Sequence, residues 1–403
     1  MPTPPTALLS LVLLGSLAAA QAPVHVVDDD GGPGADFTDL QAAVNAAASG
    51  DTVLVKEGFY GGATIDGKAL RITAEADASV VLQGPLRVQS TAPAQTVFAR
   101  GLTVEPGVGQ PPSAVTGCAG VVWLEECVLS GPAFGFFGSQ GHGLLVESSA
   151  TVNLMDCALL GAESIDASGA QGLVASASLL NLYDCVLLGG PGNPGAPGGD
   201  GARLDGVTAM FSGSTATGGA GGDADGLFQP CPGEGGAGLV LTGGSTARDL
   251  GGGYAGGAGG RNGATGCTTA ASGPSTDLAG GTLTSLGPQA RRFDSTSPAR
   301  ENATSVLTFE GLEGEFCFTA YGGAPTGFFV PDWSGAFLTA APFVFTAIGT
   351  IPAGGTLTLP INVGGLDPTF GSLVVYHQGI FFTQSFDLIL GSGSSIVILD
   401  DAL

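Results

Sequence analysis

The chain has 403 residues, 71 of them glycine; only 11% are Asp, Glu, Lys or Arg, and the formal net charge is −24. An acidic field of that size excludes nucleic acid and anionic membrane surfaces as ordinary partners, and 44% apolar residues exclude wholesale disorder. No Gly-X-Y register runs along the chain, which excludes collagen.

Residues 1–20 read as a secretory signal. An apolar run over 7–17, with no Lys or Arg before it, leads to the cleavage-type triplet Ala18-Ala19-Ala20, so Gln21 would begin the mature chain. The run is too short to span a bilayer and no later stretch qualifies. The expectation is a secreted or cell-surface protein with no membrane-spanning segment, in a compartment where disulfides form. Seven cysteines leave at least one unpaired.

A short amphipathic helix follows. Thr38 and Gln41 have capping-box spacing, Asp39 suits the first turn, Leu40, Ala43, Val44 and Ala47 share a face, and Gly50 reads as the C′ residue. Residues 51–56 predict a strand and 58–62 a turn.

The middle of the chain repeats. Leu124-Glu125-Glu126-Cys127, Leu154-Met155-Asp156-Cys157 and Leu182-Tyr183-Asp184-Cys185 are each followed by three apolar or small residues and glycine, with the cysteines 30 and 28 residues apart. Such a period means one supersecondary unit stacked on itself. Weaker copies lie at 70–73 and 98–104, and companion strands at 143–146, 172–175 and 238–241. Short β-rich runs broken by glycine suit a solenoid with tight corners, and the leucine-rich-repeat pattern is missing.

The residues Asp36-Phe37-Thr38-Asp39-Leu40-Gln41-Ala42-Ala43-Val44, then Gly50 to Val55, then Gly58-Phe59-Tyr60, resemble the start of right-handed parallel β-helix proteins of the pectin-lyase-like superfamily. The resemblance covers about forty residues. It implies a solenoid whose open amino end is plugged by the helix, which would otherwise expose unpaired strands.

From 189 to 281 the loops swell. Gly218-Gly219-Ala220-Gly221-Gly222 recurs at 256–260, and the copies lead to Cys231 and Cys267. Equivalent positions on adjacent coils are neighbours, so a Cys231–Cys267 disulfide is expected. The loops lack side-chain bulk, so their backbones should be held by that bond or be mobile. Residues 291–304, with Pro298, Arg291, Arg292 and Arg300, read as a linker. Beyond them, strands at 306–309, 315–319, 343–347, 356–361, 372–376, 386–390 and 395–399 predict an antiparallel β-sandwich over 305–403. Ser297 to Glu301, Gly371 to Gln378 and Ile396 to Leu399 resemble small C-terminal modules of secreted bacterial proteins. The fold class is therefore all-β: a capped parallel β-helix over 21–290, a linker, and a sandwich module.

The chemistry is less distinct. Gly141-His142-Gly143 resembles a polygalacturonase motif, but the paired aspartates that glycoside hydrolysis needs are missing, so His142 reads as a corner residue. Pectin methylesterase motifs, and a lyase's calcium aspartates with an arginine base, are likewise missing. Glu126, Asp156 and Asp184 precede the cysteines. Strand alternation would send the cysteines to the core and the acids outward as a solvated ladder, which could admit Ca²⁺. Asp223 and Asp225 sit in a stretch resembling one calcium-binding nonapeptide. No catalytic or cofactor-binding residue is assigned. The leading expectation is a non-catalytic scaffold, adhesive or glycan-binding, whose partner is a polysaccharide or cell-envelope component. The alternative is a polysaccharide lyase or glycoside hydrolase.

Overall fold

The computed structural model describes residues 23–132, 141–163, 168–224, 231–262, 267–287, 289–330, 332–367 and 370–403. The signal-like segment 1–20 and Asp225 lie outside the described residues.

Residues 24–287 wind into a parallel β-helix of three sheets, one of ten strands and two of eight. Coils stack in register: Leu124 lies beside Leu154, Leu154 beside Leu182, and Leu182 beside Phe211. Like side chains therefore form columns about 4.8 Å apart. The leucine column and the column of Cys127, Cys157 and Cys185 are buried in one continuous core. The three thiols are free, and each donates to a carbonyl two residues earlier, at 3.3 Å.

The helix Leu40–Ala46 covers the amino end, burying Leu40, Ala43 and Val44. Its N-cap is Asp39, not Thr38: the Asp39 carboxylate accepts the Ala42 N–H at 2.7 Å. It ends at Ala47, before Gly50, because the Asp51 carboxylate captures the Ala48 N–H at 2.7 Å and the chain leaves extended. Gly58–Tyr60, expected as a turn, is a strand that opens one eight-stranded sheet by pairing with Val80–Leu82.

The carboxyl-terminal strands form a three-stranded sheet, a five-stranded sheet and a hairpin. The stretch read as a linker contributes to them. Arg292–Ser295 pairs with Thr304–Glu310, Phe293 is fully buried, and Arg291 makes a buried two-pronged ion pair with Glu315. Its arginines made it look solvated, but one is buried against a partner glutamate. The strands expected at 386–390 and 395–399 are one strand, Leu388–Leu399. Its Gly391-Ser392-Gly393-Ser394-Ser395 run reads as a turn. The small residues are needed instead because this strand crosses the β-helix: a Cβ at Gly393 would meet the Trp123 ring at 2.6 Å.

This contact is part of a large joint. The outward side chains Leu54, Phe98, Trp123, Met155, Tyr183, Met210 and Leu250 of the ten-stranded sheet share one apolar cluster with Phe293, Phe309, Val375, Tyr376 and Ile396. The middle strands of the ten-stranded sheet are thus buried on both faces, which is why Val121–Glu125 is almost wholly apolar.

Candidate functional site

Glu126, Asp156 and Asp184 do stack, but outside the strands. Each holds the single left-handed residue at a corner, with φ of 52°, 50° and 54°, and Gly101, Gly213 and Gly251 hold the same place on other coils. The N–H at each of these positions reaches the next coil's carbonyl. Glycine, or a short polar residue, is favoured at such a backbone. The acids therefore repeat at a position whose backbone geometry selects for them. Alternation along a strand does not apply at a corner, so the expected outward ladder is displaced to the rim of the joint.

There the acids meet cations of the same chain. Arg100 donates to both Glu126 oxygens, at 3.0 and 2.7 Å, and Arg292 to Asp156 at 2.9 Å. Burial pushes the Asp156 carboxyl up to about 7 and Asp184 up to about 6, with Arg292 offsetting only part of it. Arg100 also donates to Glu125 (3.0 Å), to the Ser395 carbonyl (2.7 Å) and to the Ser295 carbonyl (3.3 Å). All five guanidinium donors are engaged. A cleft of about 380 Å³ opens beside this group, lined by Glu75, Asp77, Arg100, Glu126, Asp294 and Thr308. With Arg100 fully committed, the cleft offers carboxylates and hydroxyls but no available guanidinium.

Sequence reasoning passed over the neighbouring Glu125. It is 2% exposed, and its two oxygens accept from Arg100, from Trp123 Nε1 (2.9 Å), from Ser394 Oγ (2.8 Å) and from both the N–H (3.1 Å) and the hydroxyl (2.6 Å) of Ser395. Its column equivalents are Arg100, Met155 and Tyr183. The signal was present: one charged residue in an otherwise apolar strand.

His142 is a corner residue, as expected. It is buried, its Nδ1 accepts the Gln171 N–H of the next coil at 3.3 Å, and burial, aided by the charge of Arg203, pushes its imidazole down to about 4. It is neutral and serves as a backbone cap. Among the described residues no three His, Cys, Asp or Glu side chains gather as a metal-holding group. Asp223 is exposed and accepts the Arg261 N–H at 2.6 Å.

The glycine-rich loops are not held by the disulfide alone. The expected Cys231–Cys267 bond is present, with its Cα atoms 5.4 Å apart, but a backbone ladder does most of the ordering. Outgoing legs bond to the outgoing legs of the next coil: Gly189 to Thr217, Gly192 to Ala220, Gly218 to Ala255, Gly221 to Ala258. Returning legs do the same: Gly169 to Pro197, Gly198 to Glu234, Gly235 to Ala271. Bonds such as Gly199 to Gly190, Gly219 to Gly199 and Gly236 to Gly219 stitch the two layers together. Within a leg the roles recur every three residues, as in polyproline-II chains: one N–H within the layer, one across it, one residue facing water. Pro191 and Pro194, then Ala220 and Asp223, then Ala258 and Arg261, are the exposed third residues of the outgoing legs. A Cβ at Gly218 would sit 2.0 Å from the Gly236 carbonyl oxygen of the facing layer, and one at Gly219 1.9 Å from the Gly190 carbonyl oxygen of the adjoining leg. The loops lack bulk because two backbones must touch. They form a two-layered fin projecting from the β-helix.

No protein-family model matches the chain, and no curated protein does. Among solved structures, the enzymatically active domain of bacteriophage CBA120 tailspike protein 2 aligns over 96% of this chain and 77% of its own, at 10% identity and a TM-score of 0.22. Among the described residues no helix is long and apolar enough to cross a membrane.

Proposed function

We propose that the chain is an exported, non-catalytic scaffold in which the β-helix is a rigid stem and the glycine-rich fin presents a binding edge to a polysaccharide or other cell-envelope component. The observation that carries this reading is the fin. Legs of backbone are held out from the solenoid by their own hydrogen bonds and tied together by Cys231–Cys267, a bond suited to an oxidising compartment. A second support is negative charge used for construction: Glu125 and Glu126 are neutralised by Arg100.

The test uses residues 21–403. Retention on a panel of neutral and acidic polysaccharides and on cell-envelope fractions is expected for the wild type, with and without Ca²⁺. It should be lost when 222–233 is replaced by a short turn. Equal retention of that variant would remove the fin from the reading. New reducing ends or unsaturated products from any polysaccharide would make the protein an enzyme and overturn it.

A further inference from the structure

The five-stranded sheet of the carboxyl-terminal region ends on Phe343–Thr350, which among the described residues pairs on one side only, with Phe316–Gly322. Phe343, Val344 and Phe345 are 37%, 47% and 49% exposed. The Phe343 and Phe345 rings contact each other at 5.0 Å and Phe337 at 5.1 and 6.2 Å. Phe316, Phe318 and Phe382 continue the aromatic surface on the same sheet, and Phe328 of the hairpin borders it.

The other edges of the two larger sheets carry protection. The opposite edge of this sheet is the two-residue strand Ala299–Arg300, whose Arg300 is bonded to Glu75 of the β-helix. The three-stranded sheet ends on Arg292–Ser295, which carries Arg292 and Asp294, and on Thr356–Asn362, which contains Pro360. Short length, charge and proline are the usual devices that stop strand edges from pairing. Phe343–Thr350 has none of them. Its one irregularity, opposite Cys317 and Phe318, leaves 343–347 regular. In a chain of net charge −24, residues 333–366 contain no charged side chain.

We propose that this edge is a homodimer seam, in which Phe343–Thr350 of two copies pair antiparallel about a two-fold axis through Phe345. A strand added to the edge would replace water along its whole row of backbone donors and acceptors. A second copy of the same segment is self-complementary and brings no charge into the seam. Phe343 then lies opposite Ala347, Val344 opposite Thr346, and Phe345 opposite its counterpart. The two aromatic surfaces merge and the two sheets become one.

Light scattering and sedimentation of the wild type across micromolar concentrations should show a reversible monomer–dimer equilibrium. Phe345→Lys should be monomeric, with circular dichroism and melting unchanged; Val108→Lys, on an exposed β-helix turn, should dimerise as the wild type does. Phe345→Cys should form an oxidised dimer, since facing residues of an antiparallel pair lie within disulfide reach. A wild type that stays monomeric, an F345K protein that dimerises normally, or a monomer that instead floats with neutral phosphatidylcholine vesicles would each overturn the proposal.

Discussion

His377 lies in the five-stranded sheet with its ring stacked between Phe293 and Tyr321, at centroid distances of 6.1 and 5.4 Å. Among the described residues neither ring nitrogen has a hydrogen-bond partner, and burial pushes the imidazole down to about 3. An unfolded chain would titrate near 6.5. Between those values the unfolded state holds a proton that the folded state refuses. The stability is therefore present above the unfolded value and lost as pH falls toward 3, at about 1.4 kcal/mol per pH unit. His377→Phe should flatten that acid limb in urea unfolding followed across the window; an unchanged slope would show that other groups set it. Asp156 acts in the opposite sense. Its folded value of about 7 lies above the ordinary carboxylate range, so the folded state keeps a proton that the unfolded state has released. That advantage is lost as pH rises toward 7. Asp156→Asn should therefore gain on the order of 1 kcal/mol over the wild type above that pH and match it in acid, again by urea midpoints. In the sequence His377 was simply a histidine without ligand-spaced companions. Its effect on stability comes from burial, which only the assembled sheet supplies.

At the scale of elements, the coils were largely legible. A recurring Leu-x-acid-Cys unit, a glycine-punctuated rhythm and an amphipathic plug define a capped solenoid, and the recurrence of Gly-Gly-Ala-Gly-Gly pointed to Cys231–Cys267. The fin was not legible, because counting side chains finds nothing there to pack. Its packing is backbone on backbone, and the clue was a local three-residue spacing, Pro191 with Pro194 and Gly-Gly-x twice over at 218–223, rather than hydrophobic periodicity. Gly219→Ala should break the ladder, since the new Cβ would sit 1.9 Å from the Gly190 oxygen; Ala220→Ser, one residue on and facing water, should not. Hydrogen exchange resolved to 218–224 and 233–238 distinguishes the two. The same measurement after reduction of the disulfide should leave the stem-proximal amides protected, because their bonds run between legs and not through the sulfurs. Fast exchange throughout the reduced fin would restore the disulfide as its main constraint.

At the scale of the whole molecule, solenoid and carboxyl-terminal strands are one body, and sequence reasoning set a linker between them. The reason is instructive. Periodicity draws attention to what each coil repeats, and the joint is made by what individual coils do not repeat. Glu125, Tyr183 and the Asn153–Asn181 pair each occur where neighbouring coils carry something else. The Tyr183 hydroxyl both donates to and accepts from the Ala336 backbone, at 3.2 and 2.9 Å. Asn153 donates to the Thr326 carbonyl at 2.9 Å and accepts from Asn181 at 2.8 Å. Glu125 is the most consequential. Removing its carboxylate leaves Arg100, 4% exposed on its side chain, short of a buried counter-charge, and strips Trp123 Nε1 and the Ser395 N–H and hydroxyl of their acceptor. Breaking a buried pair in this way costs about 3–5 kcal/mol. That cost falls on the joint and not on the coil ladder, whose backbone pairing at 121–125 is untouched. Glu125→Ala should thus split a single calorimetric transition into two, with Leu388–Leu399 losing exchange protection before the coils do. Gly393→Ala, which drives a methyl into the Trp123 ring, should separate the same two parts without altering any charge. If both variants melt in one undivided transition at the wild-type temperature, the apolar contacts of Trp123, Tyr376 and their neighbours hold the joint by themselves, and Glu125 is merely accommodated there.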